Sequence, residues 1–144
     1  MAAYSFAKKA LTGIISVVGM LSIASCSSEG YLKEKIIDEI RSANGKDVAI
    51  DLNEFSKEKI LKLCIQSPYL TKAAMEKRVG GKIDSFNEVD DKFFILWIFI
   101  DEQVPMRIKF HRWHELNFGE QSKGCISTSK VKIVNSQLYL NEEK

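Results

Sequence analysis

The fold is decided by one apolar stretch in the second half of the chain, which reads Phe93-Phe94-Ile95-Leu96-Trp97-Ile98-Phe99-Ile100. Successive side chains of a strand point to opposite faces of its sheet, so an unbroken apolar run predicts a central strand that is covered on both sides. One alternative stays open, in which the face that carries Phe93 and Trp97 is exposed and binds another protein or a lipid. Trp97 is therefore a candidate protein-binding residue.

Shorter runs of aromatic and β-branched residues surround this stretch, and polar turns separate them. They are Val48–Leu52, Leu63–Ile65, Lys82–Phe86, Met106–Trp113, Ile126–Ser129, Val131–Val134 and Gln137–Leu140. Strands at such close spacing favour an antiparallel arrangement, because a parallel pair needs a long crossover connection.

Helical patterns are confined to the first half of the chain. Apolar residues recur at helical spacing over Tyr31–Ala43, and Asn44-Gly45 ends that helix with residues that accept a left-handed conformation. A second helix is predicted over Thr71–Arg78, capped by the threonine hydroxyl and ended by Gly80-Gly81. Phe55–Lys62 is expected to form a helical turn. The sequence therefore predicts an α+β fold, in which two or three helices from the N-terminal half cover an antiparallel sheet of about five or six strands from the C-terminal half.

The N-terminus has the three parts of an export signal. Lys8 and Lys9 supply a positive start, an apolar run follows over Ala10–Leu21, and no further charge occurs before Glu29. The run closes on Ile23-Ala24-Ser25-Cys26.

This ending resembles the lipobox of bacterial lipoproteins, with an aliphatic residue, two small residues and the obligatory cysteine. The resemblance implies diacylation of the Cys26 thiol and cleavage before it. Residues 1–25 would then be the signal peptide, 26–30 the acylated cysteine with a short tether, and 31–144 one periplasmic domain. Two or three acyl chains suffice for stable anchoring. In enteric-type sorting, Ser27 after the cysteine implies the outer membrane.

Two other interpretations of the N-terminus compete with the lipoprotein signal. The uncharged stretch 10–28 approaches the length of a membrane-spanning helix, but its serines and glycines are poor spanning material. A buried helix of a cytosolic protein would also have to be apolar all round.

Removal of the signal changes the charge balance. The whole chain has 21 basic and 19 acidic residues, and the loss of Lys8 and Lys9 leaves 19 of each. A neutral, exported domain has no electrostatic footprint for nucleic acid, so that partner is not expected. No phosphate-cradling glycine loop occurs, and no cofactor is expected.

Lipidation of Cys26 would leave two cysteines, Cys64 and Cys125. An oxidising periplasm and an even count favour a disulfide between them. The alternative is a pair of buried free thiols, because the sequence does not give the distance between them.

Residues that could support chemistry are few. His111 and His114 are expected to lie on one strand and to point to opposite faces, so a metal site is not expected. Asp90 and Asp91 lack a marked partner carboxylate. Arg112 and Trp113 are expected to pack at the end of the sheet, where they are candidate protein-binding residues.

Three classes of function remain. We favour a non-enzymatic, membrane-anchored protein-binding module, such as an immunity or exclusion protein that blocks an incoming effector. An accessory or pilot lipoprotein of a secretion or conjugation machine is the alternative, and a cell-wall or lipid hydrolase is the third. The runs Leu61–Tyr69, Leu96–Phe99 and Gly124–Ile126 also faintly resemble small bacterial lipoproteins without a settled activity, a likeness that assigns no functional residues.

Overall fold

The computed structural model of the protein describes residues 28–100, 104–119 and 124–140. The predicted lipobox, residues 23–26, lies outside these residues. The described residues form two α-helices, one 3₁₀ turn at Leu52–Glu54 and eight strands. In chain order the helices and strands are α1 (Ser28–Ala43), β1 (Val48–Asp51), β2 (Lys62–Gln66), α2 (Lys72–Val79), β3 (Phe93–Phe99), β4 (Met106–His111), β5 (Asn117–Phe118), β6 (Cys125–Ile126), β7 (Lys130–Val134) and β8 (Gln137–Leu140).

The strands form two sheets of four. Sheet 1 has the order β1-β7-β8-β5, and sheet 2 has the order β4-β3-β2-β6. The described pairings are antiparallel except for the short parallel contact between β5 and β8. The predicted α+β class is confirmed, with helices in the N-terminal half and most strands in the C-terminal half. The strands divide between two sheets because β6 pairs with β2, whereas β7 pairs with β1.

The larger core lies between the two sheets, and alternate residues of the strands point into it. Its largest side chains come from β3, β4 and β5, where Phe94 stacks on Phe110 and also contacts Phe118. Leu32 and Ile36 of α1 are buried in the same core. Helix α1 contacts β1 and β4, which are edge strands of the two sheets, so it closes one side of the sandwich.

A second core lies on the outer face of sheet 2, under α2 and the segment 80–89. It contains Cys64, Met75, Ile83, Val89, Ile95 and Trp97. Strand β3 therefore has both faces covered, as its apolar run predicts. Trp97 is only 1 % exposed, and its indole Nε1 donates a hydrogen bond of 2.8 Å to Oε1 of the buried Gln66. The alternative of an exposed face is wrong, and Trp97 is a core residue that no partner can reach.

The predicted disulfide is present and joins Cys64 of β2 to Cys125 of β6. The two residues are direct partners in the antiparallel register, with their Cα atoms 4.0 Å apart. The N–H of Ile65 donates to the carbonyl of Gly124, which makes the cysteines a non-hydrogen-bonded pair, where facing side chains come closest. The disulfide thus fastens a two-residue strand to the edge of sheet 2.

The predicted helix ends are confirmed. Helix α1 is followed by Asn44 and Gly45 at φ values of 50° and 80°. Helix α2 begins after Thr71, whose hydroxyl accepts a hydrogen bond from the Ala74 N–H, and it ends at Gly80 in the left-handed conformation.

Several predicted elements differ in extent. Helix α1 begins at Ser28, three residues before the predicted Tyr31, so residues 28–30 are helical and the prediction that they belong to a tether is wrong. The segment Lys82–Phe86 is not a strand, because the N–H of Ile83 donates to the side chain of Glu76 on α2 instead of to a neighbouring strand. The helical turn lies at Leu52–Glu54, before the predicted Phe55–Lys62, because the Asp51 carboxylate caps it through the Asn53 N–H.

Candidate protein-binding site

Strand β4 ends at His111, and the chain then turns tightly through Glu115; we call residues 111–115 the corner. Two hydrogen bonds between His111 and Glu115 close the turn. The N–H of Glu115 donates to the carbonyl of His111 at 2.9 Å, and the N–H of His111 donates to the Glu115 carboxylate at 2.7 Å. The strand predicted to continue to Trp113 therefore stops two residues earlier.

The turn also brings the two histidines together. The ring centroids of His111 and His114 are 4.3 Å apart, so the prediction that they point to opposite faces is wrong. The reason is that alternation between faces holds only within a strand, and His114 lies beyond the end of β4. In the described part of the chain, no three His, Cys, Asp or Glu residues lie close enough together to hold a metal ion.

Glu115 ties the corner to helix α1. Its carboxylate lies 2.7 Å from the Nζ of Lys33. Burial raises the pKa of Glu115, but hydrogen bonds from Lys33 and from the His111 N–H, together with the charge of Lys33, outweigh it and hold the pKa below its ordinary value. The carboxylate is therefore charged at neutral pH and keeps the turn in place. No local sequence pattern predicts this ion pair, because Lys33 and Glu115 lie 82 positions apart in the chain.

Arg112 is held firmly by groups that carry no formal charge. Its Nε donates to the side-chain oxygen of Asn117, and its Nη1 donates to the main-chain carbonyl of Asp91, both at 2.9 Å. The guanidinium also lies over the rings of Phe118 and Trp113, 5.2 and 5.6 Å from their centroids. Among the described residues, no carboxylate lies within ion-pair distance of it. Its positive charge is therefore fixed in position and available to a partner.

Trp113 is the exposed tryptophan of the described chain, with 58 % of its surface in solvent. Its ring contacts His111 edge-on at 6.1 Å in addition to Arg112. Tryptophan and arginine are, with tyrosine, the residue types that most often dominate the energy of protein interfaces. Tryptophan buries a large area with little loss of side-chain entropy, and the contacts of Arg112 already hold its guanidinium in place. The structure thus brings Arg112 and Trp113 together at the end of sheet 2, whereas Trp97 lies in the core.

The adjacent edge of β4 is closed to a partner strand. Two of its outward N–H groups already donate to carboxylates: Arg107 to Glu29 at 3.0 Å and His111 to Glu115 at 2.7 Å. Edge strands with free main-chain groups invite strand addition, and here α1 and the corner occupy them. We therefore expect recognition at the corner to use side chains.

Two acidic residues, Asp90 and Asp91, lie beside the corner. Asp91 contacts it through its main-chain carbonyl, while the side chains of Asp90 and Asp91 are exposed. Asp90 is engaged locally, since its carboxylate accepts the Lys92 N–H at 3.0 Å. The corner presents one apolar ring, Trp113, and one fixed cation, Arg112, to other molecules.

Comparison with known proteins adds no assignment. No family model, no curated protein and no solved structure matches this chain. Neither helix in the described part of the chain is long and apolar enough to span a bilayer, and the stretch considered as an anchor, residues 10–27, lies outside that part.

Proposed function

We propose that this chain is a lipid-anchored bacterial lipoprotein whose periplasmic domain binds another protein and performs no catalysis. The observation that carries the proposal is the exposed Trp113, packed on an Arg112 guanidinium that has no described carboxylate partner. Both are hot-spot residue types, and a rigid aromatic ring next to a fixed cation suits a partner surface with an apolar pocket and a carboxylate.

The anchor is supported by the sequence alone. The charge at Lys8 and Lys9, the apolar run and the position of Cys26 agree with a lipoprotein signal, and Ser27 favours the outer membrane, facing the periplasm. The Cys64–Cys125 disulfide suits an oxidising compartment.

The particular form that we propose is an immunity or exclusion protein. A small domain with a neutral surface and a disulfide is suited to act as a stoichiometric inhibitor. A lipid anchor would station it where an incoming effector arrives.

The test is capture of the partner by the full-length, tagged protein, crosslinked in intact envelopes. Arg112→Ala and Trp113→Ala should each weaken capture by about 2 kcal/mol or more, equivalent to about 30-fold. Tyr69→Ala is the matched control, since Tyr69 is 68 % exposed but lies outside the corner. Capture should survive that change.

The identity of the captured protein separates the functional classes. An incoming toxin or transfer component supports immunity or exclusion, whereas a resident component of a secretion or conjugation machine supports the accessory role. The proposal fails if no partner depends on the corner and the protein instead hydrolyses peptidoglycan or lipid, with loss of that activity in Asp91→Asn or His111→Ala.

A further inference from the structure

A groove of about 600 Å³ opens at the end of the domain where the described chain begins. The first turn of α1, the loop after the 3₁₀ turn and the ends of β3 and β4 form its walls. Its lining combines six apolar or aromatic residues with two serines, a lysine and a glutamate: Tyr31, Leu32, Phe55, Ile100, Val104 and Met106, with Ser28, Ser56, Lys57 and Glu58. Its volume lies within the range of about 300–1,000 Å³ that is typical of sites for apolar ligands.

Exposed apolar side chains gather around the same groove. Tyr31, Leu61 and Val104 have 44 %, 44 % and 83 % of their surfaces in solvent, and we call these three residues the rim. Leu61 belongs to this end because its N–H donates to the carbonyl of Phe99, at the end of β3. Surface apolar residues are ordinary when scattered, but a group around an apolar groove marks a contact surface.

The start of the described chain indicates what this surface contacts. Ser28 lines the groove and lies two residues after Cys26. Two residues span at most about 7 Å, so a lipid anchor on Cys26 would be attached within about that distance of Ser28. If Cys26 carries the lipid anchor, the bilayer surface lies next to the groove. The segment between Cys26 and α1 is too short to hold the domain away from the membrane.

We propose that the groove and its rim dock on the phospholipid surface in which the Cys26 anchor is inserted. This inference rests on the proposed lipid anchor and extends it to a fixed orientation of the domain. Tyr31 presents an apolar ring with a polar tip, the type of side chain that membrane interfaces favour. Leu61 and Val104 add aliphatic surface on either side.

The orientation has a consequence for the corner. Strand β4 begins at the groove with Met106 and ends at the corner with His111. A strand of this length spans roughly 17 Å. Docking at one end therefore points Arg112 and Trp113 away from the membrane, where a partner in the periplasm can reach them.

The test places a fluorescent probe on the rim of the full-length, processed protein. Val104→Cys is labelled with an environment-sensitive fluorophore, and the protein is reconstituted into vesicles of phosphatidylethanolamine and phosphatidylglycerol. The new thiol is available for specific labelling because Cys64 and Cys125 are joined and Cys26 would be acylated. Leu61→Cys gives a second rim position, and Tyr69→Cys, at the other end of sheet 2, is the control.

Docking predicts that emission from both rim probes shifts to shorter wavelength and is quenched by brominated phospholipid, while the control probe stays solvent-exposed and unquenched. Rim probes that remain solvent-exposed on a protein whose Cys26 carries acyl chains by mass spectrometry would overturn docking and leave the anchor intact. A wavelength shift without quenching by bromolipid would mean that a second copy or another protein covers the groove, which also overturns it. An unmodified Cys26 would overturn the anchor and docking together.

Discussion

Reduction of the Cys64–Cys125 disulfide should remove a large share of the domain's stability. The bridge joins residues 61 positions apart, and the chain-entropy treatment assigns a loop of that length about 4 kcal/mol. Domains of this size are stable by about 5–15 kcal/mol in total. With a urea dependence of about 2 kcal/mol per molar, the unfolding midpoint should fall by about 2 M.

The assay is urea unfolding of the domain from Ser27 onward, with and without reductant, followed by tryptophan emission. Trp97 is a suitable reporter because it is buried in the core that also contains Cys64. The variant Cys64→Ala/Cys125→Ala is the control, since its midpoint should not respond to reductant. The unfolding midpoint of this variant should lie near that of the reduced protein.

The disulfide also has a local role that the same samples can show. Strand β6 pairs with β2 through only two residues, and the disulfide adds a covalent link to that short pairing. Reduction should therefore raise amide hydrogen exchange around Ile126 before the domain unfolds. The reasoning is refuted if thiol counting confirms full reduction and the midpoint stays unchanged. Two free thiols in the untreated, folded protein would refute the pairing itself.

Three further predictions use single substitutions and urea unfolding as the measurement. Trp97→Ala should cost about 3–5 kcal/mol because it empties a core site, whereas the same change at Trp113 should alter stability by no more than about 0.5 kcal/mol; equal effects would contradict the burial of one and exposure of the other. Glu115→Gln should cost about 0.5–1 kcal/mol at neutral pH through its contact with Lys33. Because the folded-state pKa of Glu115 is lowered, this difference should be complete above the ordinary value of about 4.3 and should vanish as the pH falls through the folded-state pKa, so a cost that persists in acid would refute it. Thr71→Ala should cost about 1 kcal/mol through loss of the helix cap, and Thr71→Ser should restore most of it.

Local chemistry explains why much of the fold follows from the sequence. The helix predicted over Tyr31–Ala43 follows from apolar spacing and from the Asn44-Gly45 ending, which depend on neighbouring residues only, whereas its observed start at Ser28 was not predicted. The double burial of β3 follows from its unbroken apolar run. The pairing of Cys64 with Cys125 follows from the cysteine count and the inferred compartment.

The predictions fail where a side chain a few residues away accepts a hydrogen bond from a main-chain N–H of a predicted strand. The N–H of Ile83 bonds to Glu76 of a helix, which ends the strand pattern over Lys82–Phe86. The rings of His111 and His114 meet because β4 stops at the turn that Glu115 closes. The sequence predicts Arg112 and Trp113 as candidate binding residues. It does not predict the groups that hold them in place.

The α+β class, the residues that end the two helices and the central strand follow from the sequence, because each depends on residue type and short-range spacing. The sequence only favoured the Cys64–Cys125 pair, through the cysteine count and the inferred compartment. Residues 1–26 also carry the proposed signal for export and lipid anchoring. Only the tertiary structure decided that the strands split into two sheets, that Trp97 is buried and Trp113 exposed, and that an apolar rim surrounds the start of α1. These features depend on which distant segments pack together: α1 packs against strands of both sheets, and α2 with residues 80–89 covers Trp97.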